Sequence, residues 1–543
     1  MNFILYSDVN DGSISQSLGR PEYSYYFVLK AYRPVLESLG QVHVAHRPDD
    51  VDRLYHELRL KGEDCLFLSF TPPQKTPTDL DCPTLCVVAW EFDSIPDEHW
   101  DDDPRQDWSR TLGRHGRVIT LSSHTARAVR RVLGEDFPVL VLPAPLWERF
   151  DSVRSRYPNV PVNAGTSLQV KGCIIDSRTL GLCADGLIAP VLPEEPAPAP
   201  EPAPVPVATP IVVEAPPLTV GRRLFIAKHY LREWYRALRS GEWRRPLFIS
   251  KHYVRECYRE GLRDLVPEEV RTLMAKGRPA EQAPLPAAPV APPPAAQPEH
   301  PQASLPATDQ QVECQVDGVV YVSVFNPDDG RKNWHQLITA FCWAMRDIDD
   351  ATLVLKMTQN DLSTYYVEML TLLSQLSPFS CRVVVVHGYL DDEQFARLYG
   401  AASFYVNASR CEGLCLPLME FMACGKPAIA PRHTAMQDYI DEDVAFIVKS
   451  SQEPAIWPQD SRILFRTLRH RPDWGSLKTA YQDSYRMARE NPERYQAMSL
   501  AAARRMQDYS SFAGVQARLR DFLALDPLAE PGDASSLAVA GNA

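Results

Sequence analysis

Short apolar runs alternate with longer amphipathic stretches over the first 150 positions. Asn2-Phe-Ile-Leu-Tyr-Ser, Gln41-Val-His-Val-Ala, Cys65-Leu-Phe-Leu-Ser-Phe, Leu85-Cys-Val-Val-Ala-Trp, Arg117-Val-Ile-Thr-Leu-Ser and Val139-Leu-Val-Leu-Pro read as buried strands. Helical patterns separate them, the first from about Tyr23 to Leu39. Such alternation predicts a parallel α/β sheet. The same rhythm returns after position 311, with Val319-Val-Tyr-Val-Ser-Val-Phe and Cys381-Arg-Val-Val-Val-Val-His-Gly-Tyr-Leu as strands and Trp334, Leu337, Ile338 and Phe341 on one side of a helix. His387 closes the second of these strands, and Asp391-Asp-Glu opens the next helix.

The segment Ser409-Arg-Cys-Glu-Gly-Leu-Cys-Leu-Pro-Leu-Met-Glu-Phe-Met-Ala-Cys-Gly-Lys-Pro carries the densest chemistry. Pro417 suits the first position of a helix and Gly425 the residue just past its end, so about two turns lie between them. Leu418, Met419, Phe421, Met422 and Ala423 make that helix apolar nearly all round, so Glu420 is a carboxylate in a buried helix and needs hydrogen-bond partners. The residues from Gly413 to Leu416 present backbone N–H groups at the positive helix end, a ready phosphate site. Lys332, in Asn-Pro-Asp-Asp-Gly-Arg-Lys-Asn, stands just before another helix start, where a cation opposes the helix dipole and an intervening anion explains it. Simpler readings stay open at each position: Glu420 as a local cap or ion pair, Glu412 as a loop charge, and Lys332 paired with Asp328 or Asp329.

From Tyr405 through Ala428-Ile-Ala-Pro the chain resembles the donor-site signature of retaining, family-4-type glycosyltransferases (glycosyl transferases group 1) with the GT-B fold. The resemblance implies two Rossmann-like, doubly wound α/β domains facing a central cleft, with a nucleotide sugar as donor. It puts the donor ribose on Glu420, the transferred sugar on Glu412, and the diphosphate on the amides of Gly413, Leu414 and Cys415. It places a phosphate-binding lysine at Lys332. Its usual arginine several residues earlier is replaced here by Asn326, with Arg331 beside the lysine instead. The strand end carrying Gly388 and Tyr389 corresponds to the part that faces the base, with His387 assigned proximity only. Glu91 sits where many members carry a histidine facing the sugar; a helix-capping role is its alternative. Gly12, in the polar turn after the first strand, permits close backbone approach to the donor. Ser122, Ser123 and His124 mark a helix start on the same side, and the loop at His433 lines the sugar pocket.

Prolines number 48, and 21 of them fall in two tracts, Pro190 to Pro217 and Pro279 to Pro306. These read as polyproline-like linkers. Between them Leu224-Phe-Ile-Ala-Lys-His-Tyr-Leu-Arg-Glu-Trp-Tyr-Arg recurs as Leu247-Phe-Ile-Ser-Lys-His-Tyr-Val-Arg-Glu-Cys-Tyr-Arg. Residues 222–265 hold 12 Lys or Arg and 5 Asp or Glu, a net of +7 in a chain of net −12. A basic amphipathic helix pair suits an anionic membrane surface or an acidic partner; a hairpin packed on the enzyme body is the alternative. The expected organisation is therefore an acceptor-side domain at 1–189, a linker at 190–217, the basic repeat at 218–278, a second linker at 279–310, the donor domain at 311–525 and a tail at 526–543.

No apolar run reaches the 18 or so residues of a membrane span, and the first residues lack a basic secretion-signal start, so a cytoplasmic enzyme is expected, with peripheral membrane attachment as a variant. Twelve scattered cysteines without a C-x-x-C pair indicate neither zinc nor a disulfide framework. Asp101-Asp-Asp reads as a solvated loop rather than a metal site. The expected chemistry is metal-independent transfer, with retention, from a nucleotide sugar to a glycan or lipid-linked hydroxyl in surface polysaccharide or lipopolysaccharide assembly, without nucleic acid. A donor-binding scaffold acting through the repeat, and a GT-B epimerase, are the alternatives.

Overall fold

The computed structural model describes residues 1–182 except 11, 20–22 and 101–102, residues 305–525 except 465, and scattered positions between 223 and 257. The chain forms two compact units, one of residues 1–192 with 304–543 and one of 193–303. The expected linkers at 190–217 and 279–310, most of the 218–278 repeat and the 526–543 tail lie outside the described residues. In the second unit the indole N–H of Trp234, from the first repeat copy, donates to Ser250 Oγ of the second at 2.9 Å.

The first unit opens with β1 (Asn2–Tyr6), α1 (Tyr23–Leu39), β2 (Gln41–Val44), α2 (Asp50–Leu60), β3 (Cys65–Ser69), β4 (Thr84–Val88), α3 (Trp108–His115), β5 (Val118–Thr120), α4 (Ser123–Leu133) and β6 (Val139–Val141). The six strands form one parallel sheet in the order β2-β1-β3-β4-β5-β6. Helix α1 buries Tyr25, Val28, Leu29, Tyr32, Val35, Leu36 and Leu39, a three-and-four spacing that lays one face on the sheet. Each such large apolar side chain contributes roughly 1.5–3 kcal/mol when fully buried. The Tyr32 hydroxyl, which is also buried, donates to the Leu142 carbonyl at 2.6 Å, so its polar end is satisfied.

There follow α5 (Asp151–Arg156), β7 (Asn163–Lys171) and β8 (Cys173–Asp176), then, beyond the second unit, β9 (Gln311–Phe325), α6 (Trp334–Ala344), β10 (Ala351–Met357), α7 (Tyr366–Leu376), β11 (Arg382–His387), α8 (Asp392–Ala401), β12 (Phe404–Val406), α9 (Leu416–Ala423), β13 (Ala428–Pro431) and β14 (Ala445–Val448). The second sheet runs β14-β13-β12-β9-β10-β11, all parallel, and β8 closes it antiparallel to β11. Strand β7 pairs antiparallel with the first half of β9. Sheet membership thus crosses the boundary expected at 189, because residues 163–176 hydrogen-bond to the second sheet rather than the first. The backbones of Gly172 and Gly388 nearly touch there: a Cβ on Gly172 would lie 2.0 Å from the His387 carbonyl oxygen.

A two-stranded hairpin, β15 (Ser450–Ile456) and β16 (Arg466–Pro472), precedes the closing helices α10 (Trp474–Glu490), α11 (Pro492–Ser510) and α12 (Phe512–Leu523). The end of this series returns to the first sheet: Leu146 N–H donates to Ser510 O at 3.0 Å, and Gln516 Nε2 to Ser38 Oγ at 2.8 Å. Both domains are doubly wound α/β, as expected. Among the described residues no helix is long and apolar enough to cross a membrane, and the described cysteines are free thiols.

Candidate functional site

In each sheet the strand order reverses once, between β1 and β3 in the first and between β9 and β12 in the second. At such a point the loops after two neighbouring strands diverge and leave a crevice at their carboxyl ends. The second sheet places the loop 326–333, after β9, beside the loop 407–415, after β12. Asn333, left-handed at φ 55°, joins them by donating from Nδ2 to the Ala408 carbonyl at 3.1 Å, and Arg410 N–H donates to Arg331 O at 2.7 Å.

Glu412 is the centre of this crevice and its side chain is only 3% exposed. Lys332 Nζ lies 2.7 and 2.9 Å from its two oxygens, Arg331 Nη1 donates to Oε2 at 2.8 Å, and Ser409 Oγ donates to Oε1 at 2.6 Å. Asn407 Nδ2 adds a longer contact at 3.3 Å. Burial pushes the carboxyl upward, but Lys332 and Arg331 outweigh it and hold the group well below the usual carboxylate range. The backbone is fixed too, since Glu412 N–H donates to Thr434 Oγ1 at 3.0 Å and Thr434 is itself strained at φ 47°. Glu412 is therefore an ionised, immobile carboxylate.

Arg331 extends the cluster into the first domain. Its Nε lies 2.9 Å from Asp329 and 3.4 Å from Glu91, which follows β4. Burial raises the Glu91 pKa, with Asp329 and Glu412 adding to the rise and Arg331 opposing it. Gly413 completes the contact: a Cβ there would lie 3.0 Å from Trp90 N and 3.2 Å from Ala89 C, so the two domains meet backbone against backbone. The predicted Glu412, Lys332, Arg331, Glu91 and Gly413 thus come together. Lys332 is not held by Asp328 or Asp329, as its simpler reading had it; its partner is Glu412.

Helix α9 starts at Leu416, with Pro417 second rather than first, and Gly425 follows its end at φ 77°. Cys415 precedes it in a left-handed conformation and makes no geometric side-chain cap of the first turn. A first turn left uncapped by side chains is what an anion site requires. One turn on, Glu420 accepts from Tyr399 Oη at 2.9 Å and has Arg149 at 3.6 Å. Burial raises its pKa, with Arg149 and Tyr399 pulling the other way. Glu420 and Tyr389 both lie close enough to Tyr23, at the start of α1, to add to the upward shift that burial gives its phenol.

Other expected residues have structural partners of their own. Gly388, at φ 132°, is required by close packing, since a Cβ would lie 2.5 Å from Lys171 O. Gly12 donates its N–H to Asn10 Oδ1 at 3.1 Å, and at Gly19, φ 88°, a Cβ would lie 2.7 Å from the Gln359 side chain. Asn326 spends its amide on the Gly19 carbonyl, 3.0 Å away, and so bridges the two domains at the position where an arginine was expected. His387 Nδ1 is 2.8 Å from Tyr365 Oη, which satisfies it. Ser122 caps α4, and Ser123 N–H donates to Asp438 at 2.7 Å across the domains. Among the described residues no group of three or more His, Cys, Asp or Glu is placed to hold a metal; Asp101 and Asp102 lie outside them, and Asp103 pairs with Arg105.

Asn407, Ser409 and Thr434 support Glu412 and were not singled out from sequence, although the first two precede it by five and three residues. Arg149 and Tyr399 carried no local signal at all, because only the tertiary fold brings them to Glu420.

Residues 317–459, which contain this crevice, match the family described as glycosyl transferases group 1. No curated protein matches the chain. Among solved structures, HepE of Anabaena in complex with UDP and glucose is 10% identical, with 96% of this chain and 99% of that one covered at a TM-score of 0.44. Sucrose-phosphate synthase of Thermosynechococcus elongatus is 12% identical over 96% and 98% at 0.45, and a glycosyltransferase of Rickettsia africae 8% identical over 96% and 98% at 0.45.

Proposed function

We propose that this chain is a GT-B glycosyltransferase that moves a sugar from a nucleotide-diphosphate sugar to a hydroxyl of a glycan or lipid-linked acceptor, with retention. The observation that carries the reading is the Glu412 carboxylate, held by Lys332 and Arg331 at a strand-order reversal beside the uncapped start of α9, within the segment that matches the group 1 family.

Breaking the bond from anomeric carbon to phosphate builds positive charge on the sugar ring and negative charge on the departing diphosphate. An ammonium has three hydrogens, and Glu412 engages Lys332 through two close oxygens, which leaves a donor for a phosphate oxygen. That donor, Arg331 and the amides from Gly413 to Leu416 neutralise the leaving group without a metal. Ionised Glu412 orients the sugar hydroxyls, and Glu420 anchors the ribose, so that binding remote from the reaction fixes the geometry. Glu91 faces the same cluster from the acceptor-side domain. The acceptor hydroxyl attacks on the leaving-group face, and no protein nucleophile is assigned. A cytoplasmic station in surface polysaccharide or lipopolysaccharide assembly belongs to the same proposal, as does peripheral attachment to an anionic membrane through residues 222–265, supported by their net charge of +7.

A thermal-shift screen over nucleotide sugars identifies the donor, since a ligand that binds only the folded state raises Tm. With that donor, Lys332→Ala and Glu420→Ala should lower the rate of transfer or slow donor hydrolysis by about 100-fold or more. Wild-type rates in both variants would sink the proposal.

A further inference from the structure

The β15–β16 hairpin belongs to the second domain by chain order, yet among the described residues its strands pair only with each other and join neither large sheet. A two-stranded hairpin by itself is marginally stable at best, so its contacts with the two domains fix where it stands.

Towards its tip the hairpin grips the first domain. Trp457, 5% exposed, packs edge-on against Trp90, Trp100 and Trp108, with ring centroids 5.4, 5.9 and 6.0 Å away. The Arg462 guanidinium lies over the Trp100 ring, 4.3 Å from its centroid. Leu468 N–H and Thr467 Oγ1 both donate to Asp93 Oδ1 at 2.9 Å, and Arg131 Nη1 donates to the other oxygen at 3.0 Å. Burial raises the Asp93 pKa, but these donors outweigh it and keep the carboxyl below its ordinary value. Asp93 stands two residues after Glu91.

Farther from the tip the same hairpin braces the second domain by two routes. His470 N–H donates to Arg410 O at 2.8 Å, and Glu453 accepts from Arg410 Nη1 at 2.7 Å and from Arg469 Nε at 2.8 Å. Arg410 stands two residues before Glu412. The His470 ring stacks on His433 with centroids 4.3 Å apart, and His433 Nδ1 lies 3.2 Å from Thr434 Oγ1, the acceptor of Glu412 N–H.

We propose that the hairpin is a clasp that aligns the Glu91 loop with the Glu412 loop for sugar transfer, and that Asp93 is its positioning residue on the first domain. The inference rests on the donor reading for what these loops do and goes beyond it in naming what sets their separation. Glu91 and Glu412 meet on one guanidinium, Arg331, at 3.4 and 2.8 Å. Lys332, Ser409 and Thr434, all of the second domain, fix the Glu412 side of that contact, whereas the Glu91 side depends on how the first domain is held. Asn326 to Gly19 and Ser123 to Asp438 also tie the domains together, but neither bridge involves the Glu91 loop. A misplacement of about 1 Å can cost roughly 100-fold in rate, so an element that ties Asp93 to Arg410 acts on the reaction without touching the substrate.

The test measures UDP affinity, turnover with the donor that the thermal-shift screen identifies, and backbone hydrogen exchange, all on the full chain. Asp93→Ala should lower kcat about tenfold while UDP affinity stays within about twofold, because the groups proposed for the diphosphate all lie on the second domain. Asp93→Asn keeps an acceptor for Leu468 N–H and Thr467 and should recover most of the loss. Thr467→Val removes the partner hydroxyl, and adding it to Asp93→Ala should cost little further, since both break one contact. In Asp93→Ala, exchange should rise at residues 90–92 and 409–413 as well as within the hairpin; a contact that only holds the hairpin down would raise it in the hairpin alone. That readout needs no substrate, so if the wild type turns over no nucleotide sugar the donor reading fails while exchange still decides on the clasp. Wild-type kcat in Asp93→Ala, equal losses in the Asn and Ala variants, or exchange confined to the hairpin would each overturn the proposal.

Discussion

The two strand-order reversals of this molecule are topologically alike and chemically opposite. At the second sheet the crevice is crowded: Glu412, Lys332, Arg331, Asp329 and Glu91 bind one another across two loops and two domains. At the first sheet the crevice is roomy, with charges matched in separate pairs and an amide oxygen left without a partner. Topology thus supplies a place to bind, and side chains decide what is bound. The crowded crevice is organised around one carboxylate shared by two cations, the arrangement on which the proposed donor reading rests, whereas the roomy one has no such centre.

The sharpest way to break that contrast is to remove its charged centre. Glu412→Ala leaves Lys332 partly buried without its carboxylate, while Arg331 keeps Asp329 and Glu91, and breaking a buried pair from one side costs about 3–5 kcal/mol. Urea unfolding should show that loss at pH 7. The stabilisation by a depressed carboxylate is fully present above its unfolded pKa of about 4.3 and disappears as pH falls through the folded value. The wild type and the variant should therefore converge in strong acid. A variant as stable as wild type at pH 7 would mean that the crowded crevice is not held by its charges.

The next test falls on the hairpin that joins the two sites. Trp457→Ala opens a hole among Trp90, Trp100 and Trp108 and should cost about 3 kcal/mol, less than the worst core truncations if the hairpin tip can settle into the space. Because the hairpin also braces Arg410, turnover should fall as well, although Trp457 itself belongs to the other pocket. Unchanged turnover in a folded Trp457→Ala enzyme would show the two crevices to be independent.

The crowded crevice was largely legible in the sequence and the roomy one was not, for a physical reason. Glu412, Gly413, Cys415 and Pro417 lie in one contiguous segment, and Lys332 sits at a recognisable strand-to-helix turn. Asp8, Gln74, Arg105 and Gln459 are spread over more than 400 positions, each in an ordinary polar loop. The fold shows the same divide. Continuous apolar runs such as Arg382–His387 declared buried parallel strands, whereas β7, which alternates polar and apolar residues, found its partner in β9 across the whole insertion. Strand β16, Arg-Thr-Leu-Arg-His-Arg-Pro, has too little apolar character to read as a strand, and its place is set by Asp93 and Arg410. Gly388 was read for the donor and Asn326 only as the place of a missing arginine, and neither the packing of the first against Lys171 nor the bridge of the second to Gly19 was legible, because a sequence marks an unusual residue without saying what crowds it.

The smallest effect separates the two glutamates of the crowded crevice itself. Burial raises both, but only Glu412 has cations close enough to reverse the shift; Glu420 has a tyrosine hydroxyl and an arginine 3.6 Å away and stays raised. A raised carboxylate binds its proton more tightly in the folded state, so it lowers stability as pH climbs from the unfolded pKa through the folded one. Glu420→Gln removes that penalty while keeping an acceptor for Tyr399. The variant should unfold at a higher urea concentration than wild type at pH 7, and the two should merge near pH 4, the reverse of the trend for Glu412→Ala. Donor binding should nevertheless weaken, since a neutral amide is a poorer acceptor for the ribose hydroxyls than a carboxylate. Stability gained together with donor affinity lost would identify Glu420 as a group kept ionised for its ligand at the expense of the fold; stability lost at neutral pH would make it a structural ion pair with Arg149.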